Sequence, residues 1–390
     1  MGYSRREFGK LALAGVPAAG LVWAPTMRLA AQGRKPNSKW AGVQVGMNVP
    51  YNFGSGNFTP GDEILQRCVQ LGCSAVELRA QPVELFLGSP AAVAGAARGG
   101  RGGRGAAAPA DAAARGGGAS ADAAGGRRAG APGAGRGAGV PGAAAEPPCV
   151  PGAGITAAAE EPAAGGGRGR GAATPEQQAA QTAAAEETKK WRAGVSLDRV
   201  KAFRKTWEDA GVLIEIVKWD GIFDFSDDEL DYAFQVSKAL GARALSSEIS
   251  IGRTKRLGQF ADKHKMQVGY HGHTAVSAAI WEATFAEAKY NAANLDLGHY
   301  VAGQNASPIP FLKKHADRIT HVHVKDRKFC NGPNVPFGQG DTPIKEVLQL
   351  MRDNKWKFQA TVEFEYPVPQ GSDRMAELAK TLEYCRTCLV

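Results

Sequence analysis

Five of the seven histidines of this chain lie in three short segments between residues 268 and 326. The segments read Val-Gly-Tyr-His-Gly-His (268–273), Asn-Leu-Asp-Leu-Gly-His-Tyr (294–300) and Thr-His-Val-His-Val-Lys-Asp (320–326). Each is a short apolar strand pattern that ends in His, Asp or Lys, and a helical pattern separates it from the next. Strands that end in ligand-type side chains and recur about every 25 residues are typical of the mouth of a (β/α) barrel.

The side chains at these strand ends combine imidazole, carboxylate and ammonium groups. Imidazole with carboxylate suits borderline or hard divalent cations, which predicts a site for Mn²⁺, Co²⁺, Zn²⁺ or Mg²⁺. Alternate residues of a strand share a face, so the choice between His321 and His323, and between Glu363 and Glu365, stays open. In chain order the strand-end candidates are Glu77, Trp219, Glu248, His271, His273, Asp296, His299, His323, Lys325, Glu363 and Glu365.

The elements that must position these side chains form eight strand–helix units. The predicted strands span 41–49, 75–78, 212–219, 242–248, 266–271, 294–297, 319–324 and 358–364. The predicted helices span 59–72, 196–211, 227–240, 254–264, 278–290, 309–315, 343–354 and 374–388, with Thr59 as the first N-cap and Pro60 after it. Eight units predict an α/β protein with a closed (β/α)8 TIM barrel over 41–390. The alternation also fits an open doubly wound sheet, but no Gly-x-Gly-x-x-Gly turn follows the first strand.

The stretch 90–190, after the second strand, consists largely of Ala, Gly, Pro and Arg and carries almost no large apolar residue. Because such a composition cannot form a core, we predict a disordered low-complexity insertion within the barrel. Its Arg-Gly-Gly-Arg-Gly piece (101–105) is similar to RNA-binding tracts. It lacks the interleaved aromatic residues that stack on bases, so a solvated spacer is the favoured interpretation.

The net charge of +9 comes from two segments. Residues 1–34 hold five Lys or Arg against one Glu, and residues 91–145 hold seven Arg against two Asp. The rest of the chain is therefore neutral, and no nucleic-acid partner is expected.

The N-terminus reads Ser4-Arg5-Arg6-Glu7-Phe8-Gly9-Lys10 before an apolar run over 11–24. This pattern resembles a twin-arginine export signal, with cleavage after about Ala31. It predicts a signal peptide over 1–31 and a periplasmic or otherwise exported protein. The apolar run is too short for an ordinary membrane span, so no stable span is expected after cleavage; an uncleaved N-terminal anchor is the alternative.

Six cysteines in a chain of this length predict no disulfide framework. Cys385 and Cys388 have C-x-x-C spacing, but they lie on a helical pattern without a second pair. Packing or an incidental disulfide is favoured over zinc binding at this pair.

Four motifs in order resemble the sugar phosphate isomerase/epimerase family, which has a xylose isomerase-like barrel. They are Asp296-Leu-Gly-His299, His321-Val-His-Val-Lys325-Asp326, the glutamate in Val362-Glu363-Phe-Glu365-Tyr366, and Gly338-Gln-Gly-Asp341. The resemblance covers roughly 41–89 and 195–390. It implies Asp296, His323 and Glu363 as metal ligands and His299 as a substrate contact, with Glu363 also as an acid/base.

The chain departs from the family at the end of the fifth strand. Ketose epimerases of this superfamily carry a catalytic glutamate there, and this chain carries His271. Glu248, one strand earlier, is the candidate for the missing carboxylate. The full prediction is Glu363, Glu248 and His271 as catalytic residues, His299, Lys325, His273 and Trp219 as substrate contacts, and Asp296, His323, Glu363 and Glu248 as metal ligands.

These residues favour a divalent-metal-dependent sugar isomerase or epimerase that works through a metal-stabilised enediolate. Export argues for a non-phosphorylated sugar or keto-sugar as the small-molecule substrate. A lyase or hydratase acting on 3-keto-glycosides at the same metal site is the alternative, and a non-catalytic sugar-binding barrel is another. An abasic-site endonuclease shares the fold, but the neutral folded part and the export signal argue against it. Whether the chain forms a homo-oligomer stays open.

Overall fold

A computed structural model describes residues 35–102, 149–151 and 175–390. The predicted signal peptide over 1–31 lies outside the described residues, and so does most of the predicted insertion. Among the described residues, no helix is both long and apolar enough to cross a membrane.

Eight parallel strands close into a barrel, because the first strand pairs with both the second and the last. The predicted TIM barrel is therefore confirmed. The inner strands are rich in Val, Ile and Ala and are buried on both faces, as parallel strands under a layer of helices must be. The strands are β1 (Val43–Val49), β2 (Ala75–Arg79), β3 (Leu213–Lys218), β4 (Ala244–Glu248), β5 (Gln267–His271), β6 (Asn291–Asp296), β7 (Ile319–Val324) and β8 (Gln359–Val362); a two-residue strand, Lys39–Trp40, pairs antiparallel with the start of β1.

Helices surround the barrel, and the eight predicted ones are all present with ends shifted by a few residues. The helices are α1 (Gly61–Leu71), α2 (Ala80–Leu87), α3 (Pro90–Gly102), α4 (Pro175–Ala193), α5 (Leu197–Asp209), α6 (Asp227–Ala239), α7 (Thr254–His264), α8 (Ala278–Glu287), α9 (Leu297–Gln304), α10 (Ile309–Lys314), α11 (Ile344–Asp353) and α12 (Arg374–Leu389). Single 3₁₀ turns form at Tyr51–Phe53, Ile222–Asp224 and Ala316–Arg318.

Four of the twelve helices in the described residues were not predicted: α3 and α4, at the ends of the predicted insertion, and the short helices α2 and α9, each of which begins directly after a barrel strand. One predicted cap is wrong. The first helix begins at Gly61, its N-cap position is Pro60, and the hydroxyl of Thr59 donates to the carbonyl of Gly56 at 2.7 Å. Because this hydroxyl already makes a hydrogen bond in the preceding turn, it does not cap the helix.

Helices extend further into the predicted insertion than its bounds of 90–190 allowed: α3 spans Pro90–Gly102 and α4 spans Pro175–Ala193. Alanine-rich sequence has high helix propensity even where its apolar residues show no helical periodicity. At the C-terminal end of α4, Arg192 forms ion pairs with Glu84 of α2 and Glu229 of α6, each at 2.8 Å. These ion pairs fix the chain where it re-enters the barrel.

Candidate metal centre and active site

Four side chains at or next to the ends of four neighbouring strands point toward one another. His271 ends β5, Asp296 ends β6, His323 lies on β7, and Glu363 follows β8 directly. All four side chains are buried, and one ligand atom from each lies within 4.8 Å of the other three. Asp296 and His323 are register partners, which sets this convergence. We call this group the four-atom cluster: His271 Nε2, Asp296 Oδ2, His323 Nδ1 and Glu363 Oε2.

Each atom of the four-atom cluster is buried and makes no hydrogen bond to the described residues. The second polar atom of each side chain, in contrast, has a partner that fixes its orientation. His271 Nδ1 faces Glu248 Oε2 at 3.0 Å, Asp296 Oδ1 accepts the His299 backbone N–H at 2.7 Å, His323 Nε2 faces Glu77 Oε2 at 2.6 Å, and Glu363 Oε1 accepts from Asn48 Nδ2 at 2.8 Å. Outer contacts of this kind orient the ligands of metal sites.

The four-atom cluster fits a divalent cation on the chemistry of its donors. It offers two imidazole nitrogens and two carboxylate oxygens, a set that Mn²⁺, Co²⁺ and Zn²⁺ accept. A buried polar atom without a hydrogen bond costs free energy. The Lys325 ammonium is an ion-pair partner for the two carboxylate oxygens, and a shared cation would engage the two imidazole nitrogens as well. The metal roles remain predictions, and the geometry puts His271 in the group that would hold the ion.

Lys325 supplies a positive charge at the edge of the cluster. Its side chain is 1% exposed. Burial alone would lower the pKa of Lys325, but the carboxylates around it outweigh burial and hold this pKa well above its usual value. The ammonium lies 3.1 Å from Asp296 Oδ2, 2.8 Å from Glu363 Oε2, 2.7 Å from Glu365 Oε2 and 2.9 Å from His299 Nε2.

Beneath the cluster, Glu77 bridges the two histidines of β7 in the barrel interior. His323 Nε2 lies 2.6 Å from Glu77 and His321 Nε2 lies 3.3 Å from it, and none of the three side chains is exposed. Burial opposes ionisation of Glu77, but the two imidazoles outweigh burial and hold its pKa well below the usual value. Burial lowers the pKa of His321 to about 4. His321 therefore belongs to the interior network, whereas His323 joins that network to the four-atom cluster.

Glu248 lies beside the cluster rather than in it. One oxygen accepts from Lys218 Nζ at 2.6 Å, and the other faces His271 Nδ1. The side chain is 41% exposed at the mouth, with His273 Nε2 at 3.5 Å. Both oxygens are thus used outside the four-atom cluster, and the structure does not bring Glu248 together with the other predicted ligands.

The structure corrects the expected position of Trp219. Its side chain is 1% exposed, its indole N–H donates to Ser237 Oγ at 3.1 Å, and its ring packs edge-on against Phe225 and Tyr232. A tryptophan enclosed in this way has no ring face free for a sugar. Trp219 directly follows β3, and the alternation of side chains along the strand places it on the face that packs against the helices.

The remaining predicted substrate contacts line the mouth. His299, on α9, and His273, after β5, face each other with ring centroids 4.8 Å apart. Glu365 contacts Lys325 and accepts a hydrogen bond from Tyr51 at 2.6 Å, so Glu363 rather than Glu365 lies in the four-atom cluster. Sequence reasoning missed three residues of this site, Asn48, Lys218 and Arg327. A polar residue inside an otherwise apolar strand was the available signal for the first two.

The loop that follows β7 is tied down by a buried carboxylate. Asp326 accepts backbone N–H groups from Gly338 at 2.8 Å, Gly340 at 2.9 Å and Thr342 at 3.3 Å. The motif Gly338-Gln-Gly-Asp341 therefore folds around Asp326, which keeps the loop beside the mouth.

We expect Gly340→Ala to lower the free energy of unfolding by about 1–3 kcal/mol. An ideal Cβ at Gly340 would overlap Asp326 Oδ1, whereas one at Gly56 would meet nothing within 4 Å. Urea denaturation of both alanine variants tests this, with Gly56→Ala as the matched control. Equal midpoints for the two variants would contradict the packing argument.

Comparison with known proteins shows what part of this chain is similar to. A family model described as the xylose isomerase-like TIM barrel matches residues 250–388, the part that carries the four-atom cluster. An inosose dehydratase of Lactiplantibacillus plantarum is 28% identical over 145 residues, which are 31% of this chain and 48% of that protein. An inosose dehydratase of Clostridium botulinum is 28% identical over 134 residues, 28% of this chain and 44% of that protein. The chain thus spans about half the length of the curated relatives that it matches.

Solved structures are similar at a greater distance. A probable 3-DHS dehydratase of Bacillus anthracis aligns with a TM-score of 0.48 and 11% identity, covering 87% of this chain and 98% of that chain. The 3-keto-D-glucoside 4-epimerase of E. coli aligns with a TM-score of 0.38 and 14% identity, covering 52% and 94%. No conclusion about activity rests on likenesses this weak.

Proposed function

We propose that this protein is a divalent-metal-dependent enzyme that removes a proton next to the carbonyl group of a non-phosphorylated sugar or keto-sugar. The observation that carries the proposal is the four-atom cluster, in which four buried ligand atoms from β5–β8 converge without hydrogen bonds. His271, Asp296, His323 and Glu363 would hold the cation. A bound divalent ion would polarise the substrate carbonyl and make the adjacent C–H more acidic.

Glu248 is the best-placed base for that proton. It is the carboxylate that lies beside the cluster and is open to the mouth, and Lys218 and His271 fix its two oxygens. Burial opposes its ionisation, but the contacts with His271 and Lys218 outweigh burial and hold the pKa of Glu248 well below its usual value. Glu248 is therefore in the unprotonated form that a base requires.

Lys325 supplies hydrogen-bond donors at the other end of the arc of strands, with His299 beside it. Lys325 follows β7 and His299 lies on α9, whereas Glu248 ends β4. A substrate seated between them would have a base on one side and donors on the other. This arrangement suits removal of a proton from one carbon and protonation of a leaving oxygen on the next.

Elimination is therefore our preferred reaction, which makes the protein a lyase of the dehydratase type on a cyclic keto-sugar or 3-keto-glycoside. Glu248 would take the proton beside the carbonyl, the electron pair would form a C=C bond, and the leaving oxygen would depart with a proton from the Lys325 side. Two observations support this reading over epimerisation. His271 stands where ketose epimerases carry a glutamate, and both curated relatives are inosose dehydratases.

Isomerisation or epimerisation is the second candidate, because Glu365 gives the far side of the mouth a carboxylate of its own. That carboxylate lies 2.7 Å from Lys325. Two carboxylates on opposite sides of a substrate would let the proton leave from one face and return to the other. A barrel that only binds sugar is the third candidate, and it predicts no proton exchange at all.

Incubation in D₂O with free ketoses, inososes and 3-keto-glycosides separates these candidates. Deuterium incorporation beside the carbonyl, followed by mass spectrometry, detects proton removal whatever reaction follows it. Loss of water or of an aglycone supports elimination, and a rearranged sugar of unchanged composition supports isomerisation. Binding without deuterium incorporation, with Mn²⁺, Co²⁺, Zn²⁺ and Mg²⁺ each tried, would overturn the enzyme proposal.

Glu248→Gln separates a base from a metal ligand. We expect turnover to fall by about a hundredfold or more, because the amide cannot take a proton. Metal stoichiometry should stay near that of the parent, with affinity lowered by about 10–100-fold since His271 loses its oriented partner. Elemental analysis beside kinetics checks both. Complete loss of metal in this variant would instead favour Glu248 as a ligand.

A further inference from the structure

One disulfide bond ties the low-complexity insertion to the mouth of the barrel. It joins Cys149 to Cys330, 181 residues apart, and Cys330 lies in the loop between β7 and α11. Both cysteines are exposed, whereas Cys68, Cys73, Cys385 and Cys388 are buried free thiols. A reductant in solution therefore reaches this pair before any other cysteine. Asn305, at the end of α9, donates to the Val150 carbonyl and adds a second contact at the same place.

The turn that contains Cys330 adopts a conformation that its residues do not favour. Cys330 has φ +58° and Asn331 has φ +52°, so two successive residues other than glycine are left-handed. Such a turn persists only where its surroundings hold it. Besides the disulfide, a hydrogen bond of 2.9 Å from the Asn331 N–H to the Ala302 carbonyl holds it against α9.

The same turn also holds the side chain of Arg327. The guanidinium donates from Nε and Nη2 to the Gly332 carbonyl, at 3.0 and 2.8 Å. Nη1 reaches His299 Nδ1 at 2.9 Å. A guanidinium and an ammonium only donate, so Arg327 at Nδ1 and Lys325 Nζ at Nε2, each at 2.9 Å, hold the His299 ring between two donors. Burial first, and Lys325 next, keep the pKa of His299 well below its usual value, consistent with a neutral ring.

Lys325 is itself held by ion pairs with Asp296, Glu363 and Glu365. Arg327, in contrast, is held by the turn. Arg327 is thus a positioning residue that helps to set the orientation of the His299 ring at the mouth.

We propose that the Cys149–Cys330 disulfide is a redox-sensitive positioning device for the mouth. While oxidised, it fixes the turn, the turn fixes Arg327, and Arg327 fixes the orientation of the His299 ring at the mouth. A dithiol reduces it by two electrons and two protons: the S–S bond breaks, two cysteine thiols form, and the dithiol becomes a disulfide. The turn then relaxes and His299 loses its fixed partner. Only the role of His299 as a substrate contact rests on the proposed function.

Hydrogen exchange of the full chain, with and without dithiothreitol, tests this directly. Peptide mapping first establishes the Cys149–Cys330 link in protein made under oxidising conditions; recovery of both as free thiols would overturn the proposal. On reduction we expect amide exchange over 328–332 to accelerate about tenfold or more, with β6 and β7 unchanged. Cys149→Ser should exchange at the reduced rate and no longer respond to dithiothreitol. Cys388→Ser, the control, should respond as the parent does.

A second readout follows His299 itself. The ¹⁵N resonances of its ring, assigned by their loss in His299→Gln, should shift or broaden on reduction, because the ring loses its fixed contact with Arg327. With a turned-over substrate in hand, KM should rise about tenfold on reduction, with metal content unchanged. If no substrate is found, exchange and ¹⁵N spectra still decide this proposal. Unchanged exchange and unchanged ring resonances on reduction would overturn it even in an active enzyme.

Discussion

Asp296→Ala and His323→Ala are each expected to abolish near-stoichiometric binding of a divalent metal, with affinity lowered by well over about a hundredfold, and turnover with it. Each substitution removes one of the four buried atoms that meet without hydrogen bonds, and the remaining three cannot complete the coordination. Elemental analysis after dialysis, followed by titration with Mn²⁺, Co²⁺ and Zn²⁺, measures the effect.

The controls must separate loss of metal from loss of fold. Asp296 also accepts the His299 backbone N–H at the start of α9, so Asp296→Ala removes a helix cap worth about 1 kcal/mol. Asp296→Asn keeps an acceptor there while removing the charge, and it should still lose the metal. Asp198→Ala and His315→Ala are matched substitutions outside the site and should keep it. Parent protein without metal, even after incubation with these ions, would refute the metal centre.

Glu77→Ala is expected to lower the free energy of unfolding by about 3–5 kcal/mol, because it breaks a fully buried charged network from one side. His321 and His323 would both lose their carboxylate, and so would the Ser246 hydroxyl that donates to it. None of these groups can turn to water from the barrel interior. Denaturation followed by circular dichroism, in the presence of chelator, measures the loss without a contribution from metal binding.

Glu77→Gln distinguishes packing from charge at the same position. The amide fills the same volume and keeps one acceptor, so we expect a smaller loss of stability. Metal affinity should still fall by about 10–100-fold, because His323 would no longer face a carboxylate through Nε2. If Glu77→Ala unfolds at the parent midpoint and binds metal as tightly, the bridge between the interior network and the four-atom cluster has no energetic role.

The sequence by itself determined the barrel and the arc of strands that carries the site. Strand patterns ending in His271, Asp296 and His323 could be recognised in the sequence because side-chain alternation and strand ends are local properties. The same patterns placed Glu363 near the end of the predicted last strand, 358–364, and in the structure it directly follows β8. Local propensity did not reveal α9, which begins at Leu297 with Asp296 as its N-cap and brings His299 to the mouth.

Only the tertiary structure decided which of these side chains meet. The register between β2 and β3 shifts at Glu77, and that between β6 and β7 shifts at Asn294, and no local pattern encodes such shifts. These shifts accompany the pairing of Glu77 with both histidines of β7. They also help explain why the sequence could not choose between His321 and His323.

Contacts between distant segments were equally beyond the sequence. Glu248 was predicted as a ligand and lies outside the four-atom cluster because Lys218, from the neighbouring strand, holds one of its oxygens. Cys149 and Cys330 are 181 residues apart and lie in segments without regular structure. Closing a loop of that length depends on the path of the whole chain, and spacing between cysteines carries no information about it.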